Sequence, residues 1–491
     1  MTVAFLVSLL AVAGFGFGLW FLSIVGVAKS LAADAMQGIS AMLDSELDDD
    51  AKEILVRRSG WSLIVHGWRV FWRFGVALLA AAFPILIADA LGLVSTSQVV
   101  SLMLRPEYII GVSLAALLIG RLLFRKTEDK TQATGTTGTY GAADRFAHML
   151  AFSGPRFHRT TAGIDDYVFD KRVGDFEVGP PVFITSLARG GTTSLLNALS
   201  EVEGLATHRY RDMPFISAPY LWNGMGNLLN RKVAQVERAH GDGLQIGLDS
   251  PEAFDEVFWR LFWPEKYDGD RIDLWHQTDF RADAHEFFKA HFKKICHLRG
   301  AGASTNIGPP QRYLSKNNAN IARLRLLSDY FPGCGIVVPV RNPGAHAWSL
   351  LRQHRNFLRR QKEDEFVLRY MRDIGHLEFG LLHQPMAFPD LAVDGYALED
   401  PNYWLAYWIA AFREVTAQCD RCHIVLQDDL RARPNEVLPA LAERLDISTG
   451  NINFRRFFHV RPDAKIDKRF SSDLLKEATA VYDELVIRAV R

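Results

Sequence analysis

FITSLARGGTTSLLNAL (Phe183–Leu199) joins a short apolar run to a helix-forming run through a turn with two adjacent glycines. The pattern predicts a buried strand over Val182–Thr185, a sharp turn, and a helix that begins on hydroxyl residues. In such a strand–loop–helix, backbone N–H groups and the positive helix end attract an anion. Gly190 and Gly191 allow a tight bend and a close approach to oxygen. Thr192 and Thr193 bring N–H and hydroxyl donors, and Arg189 a fixed positive charge. The phosphate loop of ATPases and kinases places a lysine before its hydroxyl pair. Gly191 stands in that position here, which weakens an ATP-dependent reading. The plain alternative is a glycine turn in an ordinary α/β domain.

Working outward, GIVVPVRNPGAHAWSLLRQHR (Gly335–Arg355) predicts a strand that ends at Arg341 and a helix opened by proline, which suits a first helical turn. Arg341 falls at the C-terminal edge of its strand, where ligands of open α/β sheets bind. Ser349 lies eight positions on, roughly 12 Å along a helix that rises 1.5 Å per residue. The pair suits an anion gripped from two sides. His423–Leu426 supplies a further strand. Helical patterns cover Ala253–Phe262, Ala282–His297, Ala319–Tyr330, Gly344–Arg360 and Asn402–Ala417. Strands separated by helices predict an α/β fold, a parallel sheet flanked by helices.

Two phosphate grips on one sheet, with no kinase lysine, resemble the sulfotransferase family that uses PAPS (3′-phosphoadenosine 5′-phosphosulfate). Arg189-Gly190-Gly191-Thr192-Thr193 is similar to that family's first loop, with glycine replacing its serine. Arg341-Asn342-Pro343 with Ser349 is similar to its second element. YLSKNNANIARL (Tyr313–Leu324) and HIVLQDDLRARPNEVLPALAERLDI (His423–Ile447) resemble two further family segments in the expected order. The resemblance spans about residues 180 to 490. It implies a P-loop-like fold and PAPS as co-substrate, with no metal. It further implies donor contacts from Arg189, Gly190, Gly191, Thr192, Thr193, Ser194, Arg341 and Ser349. AKIDKRF (Ala464–Phe470) resembles a late basic loop, which adds Lys465, Lys468 and Arg469. By analogy with phosphoryl transfer, the protein contributes alignment and charge stabilisation. Arg189 is then expected to stabilise the leaving phosphate, with Lys316 assisting.

An acceptor hydroxyl needs a base within hydrogen-bond reach. HRYRDMPF (His208–Phe215) offers Asp212, with His208 as its rival; for Asp212 a surface ion pair with Arg209 or Arg211 is the competing role. Glu252 and Glu256, four apart, either line the acceptor pocket or form a solvated helix face. His354 and Glu378 are further candidates for the pocket border, whereas His346, His376 and His383 show no ligand spacing. Tyr403, Trp404, Tyr407 and Trp408 read as core. Cys419-Asp420-Arg421-Cys422-His423 spells a haem-attachment pattern, but it falls at a helix-to-strand junction and reads as coincidence.

The chain has 491 residues, and Lys+Arg and Asp+Glu are both 56. Balanced charge gives no case for a nucleic-acid partner. Four cysteines in this length do not suggest a disulfide framework. Residues 1–125 read as a membrane region with three predicted transmembrane helices, about 3–28, 74–94 and 108–124. The first lacks the basic flank of a signal peptide, and the third is short enough for a re-entrant alternative. Lys29, Lys52, Arg57, Arg58, Arg69 and Arg73 precede the second run, and Arg121, Arg125, Lys126 and Lys130 follow the third. This bias predicts an integral membrane protein with its N-terminus outside and its catalytic domain in the cytoplasm. Ala32–Val56 reads as an acidic-faced helix that lies along the membrane or packs on the soluble domain. Residues 126–143 read as a Gly/Thr-rich linker, and 144–491 as the catalytic domain. The anchor points to a membrane lipid or lipid-linked glycan as acceptor; no motif names that acceptor or the oligomeric state. The rival readings are a nucleoside or sugar kinase and a non-catalytic nucleotide-binding membrane scaffold.

Overall fold

In the computed structural model, the run before the glycine turn forms β1 (Gly179–Ile184), the centre of a five-stranded sheet. The other strands are β2 (Leu205–Ala206), β5 (Arg312–Lys316), β6 (Gly335–Val340) and β7 (His423–Leu426), in the spatial order β2-β5-β1-β6-β7. Every pairing in it is parallel. A separate antiparallel pair joins β3 (Val236–Glu237) and β4 (Gln245–Ile246). The described residues are 2–24, 26–27, 49–105, 108, 112, 148–149, 151–173, 176–229, 236–237, 245–246, 249–252, 254–300, 311–458 and 469–490. The chain divides into two units, Met1–Thr134 and Gly135–Arg491.

Both faces of the sheet are covered, as parallel sheets require. Val182 and Ile184 pack on one face with Leu195, Leu199, Val337 and Val425. Phe183, Ile336 and Val338 face the other core, with Phe292, Leu350 and Trp408. A proline inside a central strand normally argues against the assignment, yet β6 carries Pro339. The register accounts for it. The last β1–β6 pair is Ile184 with Val337, whose carbonyl accepts from Thr185 N. Pro339 faces the same side two residues on, beyond the end of β1, so its missing N–H leaves no ladder bond unmade.

Helices labelled here are α1 (Thr2–Phe21), α2 (Asp49–Ala90), α3 (Thr96–Met103), α4 (Thr192–Leu199), α5 (Glu256–Phe262), α6 (Ala282–Gly300), α7 (Pro343–Glu363), α8 (Pro401–Ala417) and α9 (Gln427–Ala432). The sheet order positions the site. Because β1 lies between β5 and β6, the chain leaves all three strands side by side: at the glycine loop, at Lys316, and at Arg341.

In the first unit α1 runs antiparallel to α2. A Cβ on Gly14 would meet Ala80 O at 2.8 Å, and one on Gly18 would meet Ala77 Cα at 3.0 Å. This is the small-xxx-small spacing that lets helices approach closely in membranes. Large apolar side chains on the other faces, among them Leu10, Phe17, Trp68, Phe71, Leu79 and Phe83, are exposed. Among the described residues, Ser59–Ala90 is one helix long and apolar enough to cross a membrane, and Val3–Leu19 is a shorter apolar helix. The helix that carries most of the second apolar run extends over Asp49–Ala90, and Gly92 turns the chain beyond it at φ 65°. Most of the third run, the linker and Ala32–Asp48 lie outside the described residues.

Candidate functional site

The glycine loop is held in a form that its sequence requires. Arg189 has φ 68° and Gly191 φ 98°, the left-handed region that non-glycine residues occupy at a cost. A Cβ on Gly190 would meet Ser186 Oγ at 2.6 Å, Leu187 O at 3.0 Å and His346 Cε1 at 3.1 Å. On Gly191 it would meet Gln427 Nε2, at the start of α9, at 2.8 Å. Backbone strain of this kind clusters at functional sites. The loop is also buttressed from below. His346 Nε2 donates to Ala188 O (2.8 Å), and Trp408 Nε1 donates to His346 Nδ1 (3.2 Å). Burial holds the His346 imidazole down at about 3, so it stays neutral and keeps this tautomer.

The two elements read as anion grips meet. Arg189 Nε lies 3.5 Å from Ser349 Oγ, and Arg341 leaves β6 next to the β1 strand that feeds the loop. Asn342 caps α7 by accepting from Ala345 N (3.1 Å), and Pro343 opens the helix. Arg189, Thr193, Ser194, Arg341 and Ser349 are all partly exposed. Thr192 is buried, and its hydroxyl is already engaged, donating to Asn318 Oδ1 (3.2 Å). Beneath the loop, Ser186 Oγ and Gln427 Oε1 are buried with no hydrogen-bond partner among the described residues, polar capacity that a ligand here would satisfy. Arg469 lies over the Trp348 ring, with Cζ 4.2 Å from its centroid, one residue from Ser349. Lys465 and Lys468 lie outside the described residues.

Lys316, at the end of β5 and paired with Ile184 in register, lines an adjoining cleft. Asn318, His376, Glu378, Met386 and Tyr407 share its wall. Glu256 lines it too and is buried rather than solvated. Its carboxylate takes two bonds from Arg323 Nη2 (3.0 and 2.8 Å) and one from Asn317 Nδ2 (2.7 Å). Arg323 in turn lies between Trp259 and Trp275, 4.3 and 4.1 Å from their centroids. Glu252 precedes α5, is buried, and accepts from Tyr210 OH (2.5 Å).

The two rival bases offered by HRYRDMPF are placed elsewhere. Asp212 and His208 are 0% and 1% exposed at their side chains and do not line the cleft. Asp212 accepts from His208 Nδ1 (3.0 Å), Arg209 N (2.9 Å), Asn223 Nδ2 (2.9 Å) and Arg299 Nη2 (2.6 Å to each oxygen). Burial alone would raise its carboxyl; His208 and Arg299 overcome this and hold it well below the usual carboxylate range. Its ion pair is with Arg299 of α6, while Arg209 and Arg211 pair with Asp249. The remaining base His208 turns its Nε2 to His291 Nε2 (2.8 Å).

The pair that does line the cleft, His376 and Glu378, carries no spacing signal. Both lie in the segment that follows Glu365–Asp373. His376 Nδ1 is 3.3 Å from Glu378 Oε2, and Asn318 Nδ2 donates to Glu378 Oε1 (3.0 Å). Burial would raise the Glu378 carboxyl; His376, Asn318 and Lys316 outweigh it and hold it at about 2. His354 is buried behind this wall, its Nδ1 accepting from Gly380 N (3.2 Å). Cys422 is packed against the core, and burial pushes its thiol up to about 12. Among the described residues no group of three or more His, Cys, Asp or Glu gathers as metal ligands.

No family model matches the chain, and no curated protein matches its sequence. Solved structures match its fold loosely. A sulfotransferase of Mycobacterium avium, STF9, aligns at 13% identity and a TM-score of 0.40 over 71% of this chain and 86% of its own. STF1, a sulfotransferase of Mycobacterium tuberculosis H37Rv, aligns at 13% identity and a TM-score of 0.36 over 69% of this chain and 93% of its own. The sulfotransferase domain of the curacin biosynthetic pathway aligns at 12% and 0.28. At this level the likenesses carry no argument, and the functional reading rests on the site.

Proposed function

We propose that this chain is a membrane-anchored transferase that moves a sulfuryl group from PAPS to a hydroxyl or amine of a lipid or lipid-linked glycan. The observation that carries the reading is the meeting of Arg189 with Ser349, beside Arg341, on neighbouring strands of one sheet. Two arginines at one edge of the sheet, with Ser349 beside the first, suit a single adenosine that carries phosphate groups at its 3′ and 5′ positions. Arg189 and the α4 N–H groups would hold the phosphosulfate, and Arg341 with Ser349 the 3′-phosphate. The orphaned Ser186 hydroxyl and the Cβ-free cradle at Gly190 and Gly191 fit a group seated in close contact with the backbone. The kinase alternative needs a lysine at position 191. There φ is 98° and Gln427 sits 2.8 Å from any Cβ, so the loop is built for glycine.

Catalysis in this reading is alignment plus charge stabilisation. Arg189 and Lys316 stabilise the negative charge that grows on the departing phosphate. The membrane part of the proposal rests on the α1–α2 pairing through Gly14 and Gly18 and on the apolar belt around it. The basic residues between the first and second apolar runs and after the third support an external N-terminus and a cytoplasmic catalytic unit.

Labelled PAPS incubated with the purified chain and a total membrane lipid extract should label a lipid-phase product, and Arg341→Ala should abolish it. Labelling that survives Arg341→Ala would overturn the site. Calorimetry should show adenosine 3′,5′-bisphosphate preferred over ADP with magnesium; the reverse preference would favour the kinase.

A further inference from the structure

We propose that His376 is the general base that takes the acceptor's proton and that Glu378 positions it, an assignment that rests on the sulfuryl-transfer reading. Three observations bring it forward. Both side chains line the cleft that holds Lys316, at the end of β5 beside the loop. Both are reachable: their side chains are 15% and 23% exposed, against 1% and 0% for His208 and Asp212. And the pair is wired to the loop. Thr192 Oγ1 donates to Asn318 Oδ1 (3.2 Å), Asn318 Nδ2 donates to Glu378 Oε1 (3.0 Å), and Glu378 Oε2 faces His376 Nδ1 (3.3 Å).

The chemistry follows from which atoms are engaged. A carboxylate accepts only, so the His376–Glu378 bond places the imidazole proton on Nδ1 and the lone pair on Nε2. Glu378 is held as an anion by Lys316 and Asn318 as well as by His376. Its backbone is fixed too: His383 Nδ1 donates to Glu378 O (2.6 Å), and His383 Nε2 accepts from Tyr403 OH (2.8 Å). Burial keeps His383 neutral, with its imidazole held at about 4. Base, orienting carboxylate and anchor therefore form one rigid segment, with the loop attached through Asn318.

In the step assigned to this pair, the acceptor oxygen forms its bond to sulfur as the bond from sulfur to the phosphate oxygen breaks. That oxygen leaves with the electron pair as part of the bisphosphate, where Arg189 and Lys316 meet its charge. The acceptor's proton passes to His376 Nε2, and the resulting imidazolium is stabilised by Glu378. No other reactant is needed, and His376 returns its proton to water after product leaves.

The test measures label transfer from PAPS to a total membrane lipid extract, together with calorimetric binding of adenosine 3′,5′-bisphosphate, for the full-length chain. His376→Ala and His376→Gln are expected to lower the transfer rate by about 10² to 10⁴ while binding the bisphosphate as the parent does. Added imidazole is expected to restore part of the His376→Ala rate, which a packing defect would not allow. Glu378→Gln should lower the rate without changing bisphosphate affinity. Transfer within threefold of the parent in both His376 variants would overturn the base assignment and leave the transferase reading intact. A loss of rate matched by loss of bisphosphate binding, or one that imidazole does not relieve, would also overturn it. If the parent chain neither binds the bisphosphate nor transfers label, the transferase reading falls and takes this assignment with it.

Discussion

Gly190→Ala is the smallest change that tests whether the loop must hold its observed form. The added methyl would sit 2.6 Å from Ser186 Oγ, 3.0 Å from Leu187 O and 3.1 Å from His346 Cε1. Ser186 can swing its hydroxyl aside. The other two neighbours are fixed, since Leu187 O already accepts from Gly190 N (3.1 Å) and His346 is bonded at both ring nitrogens. The loop itself must move, and overpacking of this kind costs about 1–3 kcal/mol. A loop that relaxes by moving has to recover the strained form to bind, so the Kd for adenosine 3′,5′-bisphosphate should weaken roughly 5- to 150-fold. Gly191→Ala meets a yielding Gln427 side chain but a φ of 98°, a strain of about 1–2 kcal/mol, and should weaken binding less. Calorimetry with a parallel thermal melt reads both quantities. Parental affinity and an unchanged melting temperature in Gly190→Ala would refute the reasoning.

Other expectations follow from buried groups elsewhere. His346→Phe strands Ala188 O and Trp408 Nε1 without partners, which should lower the urea midpoint by the equivalent of about 1–3 kcal/mol per group; an unchanged midpoint would deny the buttress. Burial holds His158, His354 and His383 at about 4 and His346 at about 3, below their ordinary 6.5. Above pH 6.5 both folded and unfolded chains keep them neutral. As pH falls from 6.5 towards 4 only the unfolded chain gains their protons, so stability drops by about 1.4 kcal/mol per pH unit for each. Urea midpoints at pH 7.5 and 5.5 should therefore differ, with the lower at pH 5.5, and equal midpoints would contradict the burial. Gly18→Leu should separate α1 from α2, because even a Cβ meets Ala77 Cα at 3.0 Å; a detergent-solubilised melt unchanged from the parent would show that the pairing tolerates it.

What the sequence made legible were the features written in local pattern. β7 matches its expected bounds, β6 ends one residue before the expected Arg341, and the glycine turn, the Pro-initiated α7 and α8 fall where their composition put them. β5 was not legible as a strand, because RYLSK is polar. Its Tyr313 hydroxyl and Ser315 hydroxyl face Asp255 inside the core, so burial there is earned by hydrogen bonds rather than by apolar pattern. β2 is two residues long and carries no pattern at all. The His376–Glu378 pair lies in irregular chain brought to Lys316 by tertiary packing, for which no local spacing exists. Asp212 and His208 looked available because HRYRDMPF is polar, yet α6 supplies Arg299 and His291 to bury them. Arg69 and Arg73, read as lying ahead of the second apolar run, sit inside the same continuous helix, and Arg73 Nη1 donates to Leu22 O at 2.8 Å.

The claim on which the rest depends is that Arg189 and Arg341 serve one ligand. A calorimetric double-mutant cycle with adenosine 3′,5′-bisphosphate on the parent, Arg189→Ala, Arg341→Ala and the double variant tests it most directly. Each single change should weaken binding by about 1.5–3 kcal/mol, as for a hydrogen bond to a charged group. The double change should depart from additivity, because the side chains act on one molecule. Parental affinity in either single variant, or a ligand that binds equally well without both arginines, would contradict the account.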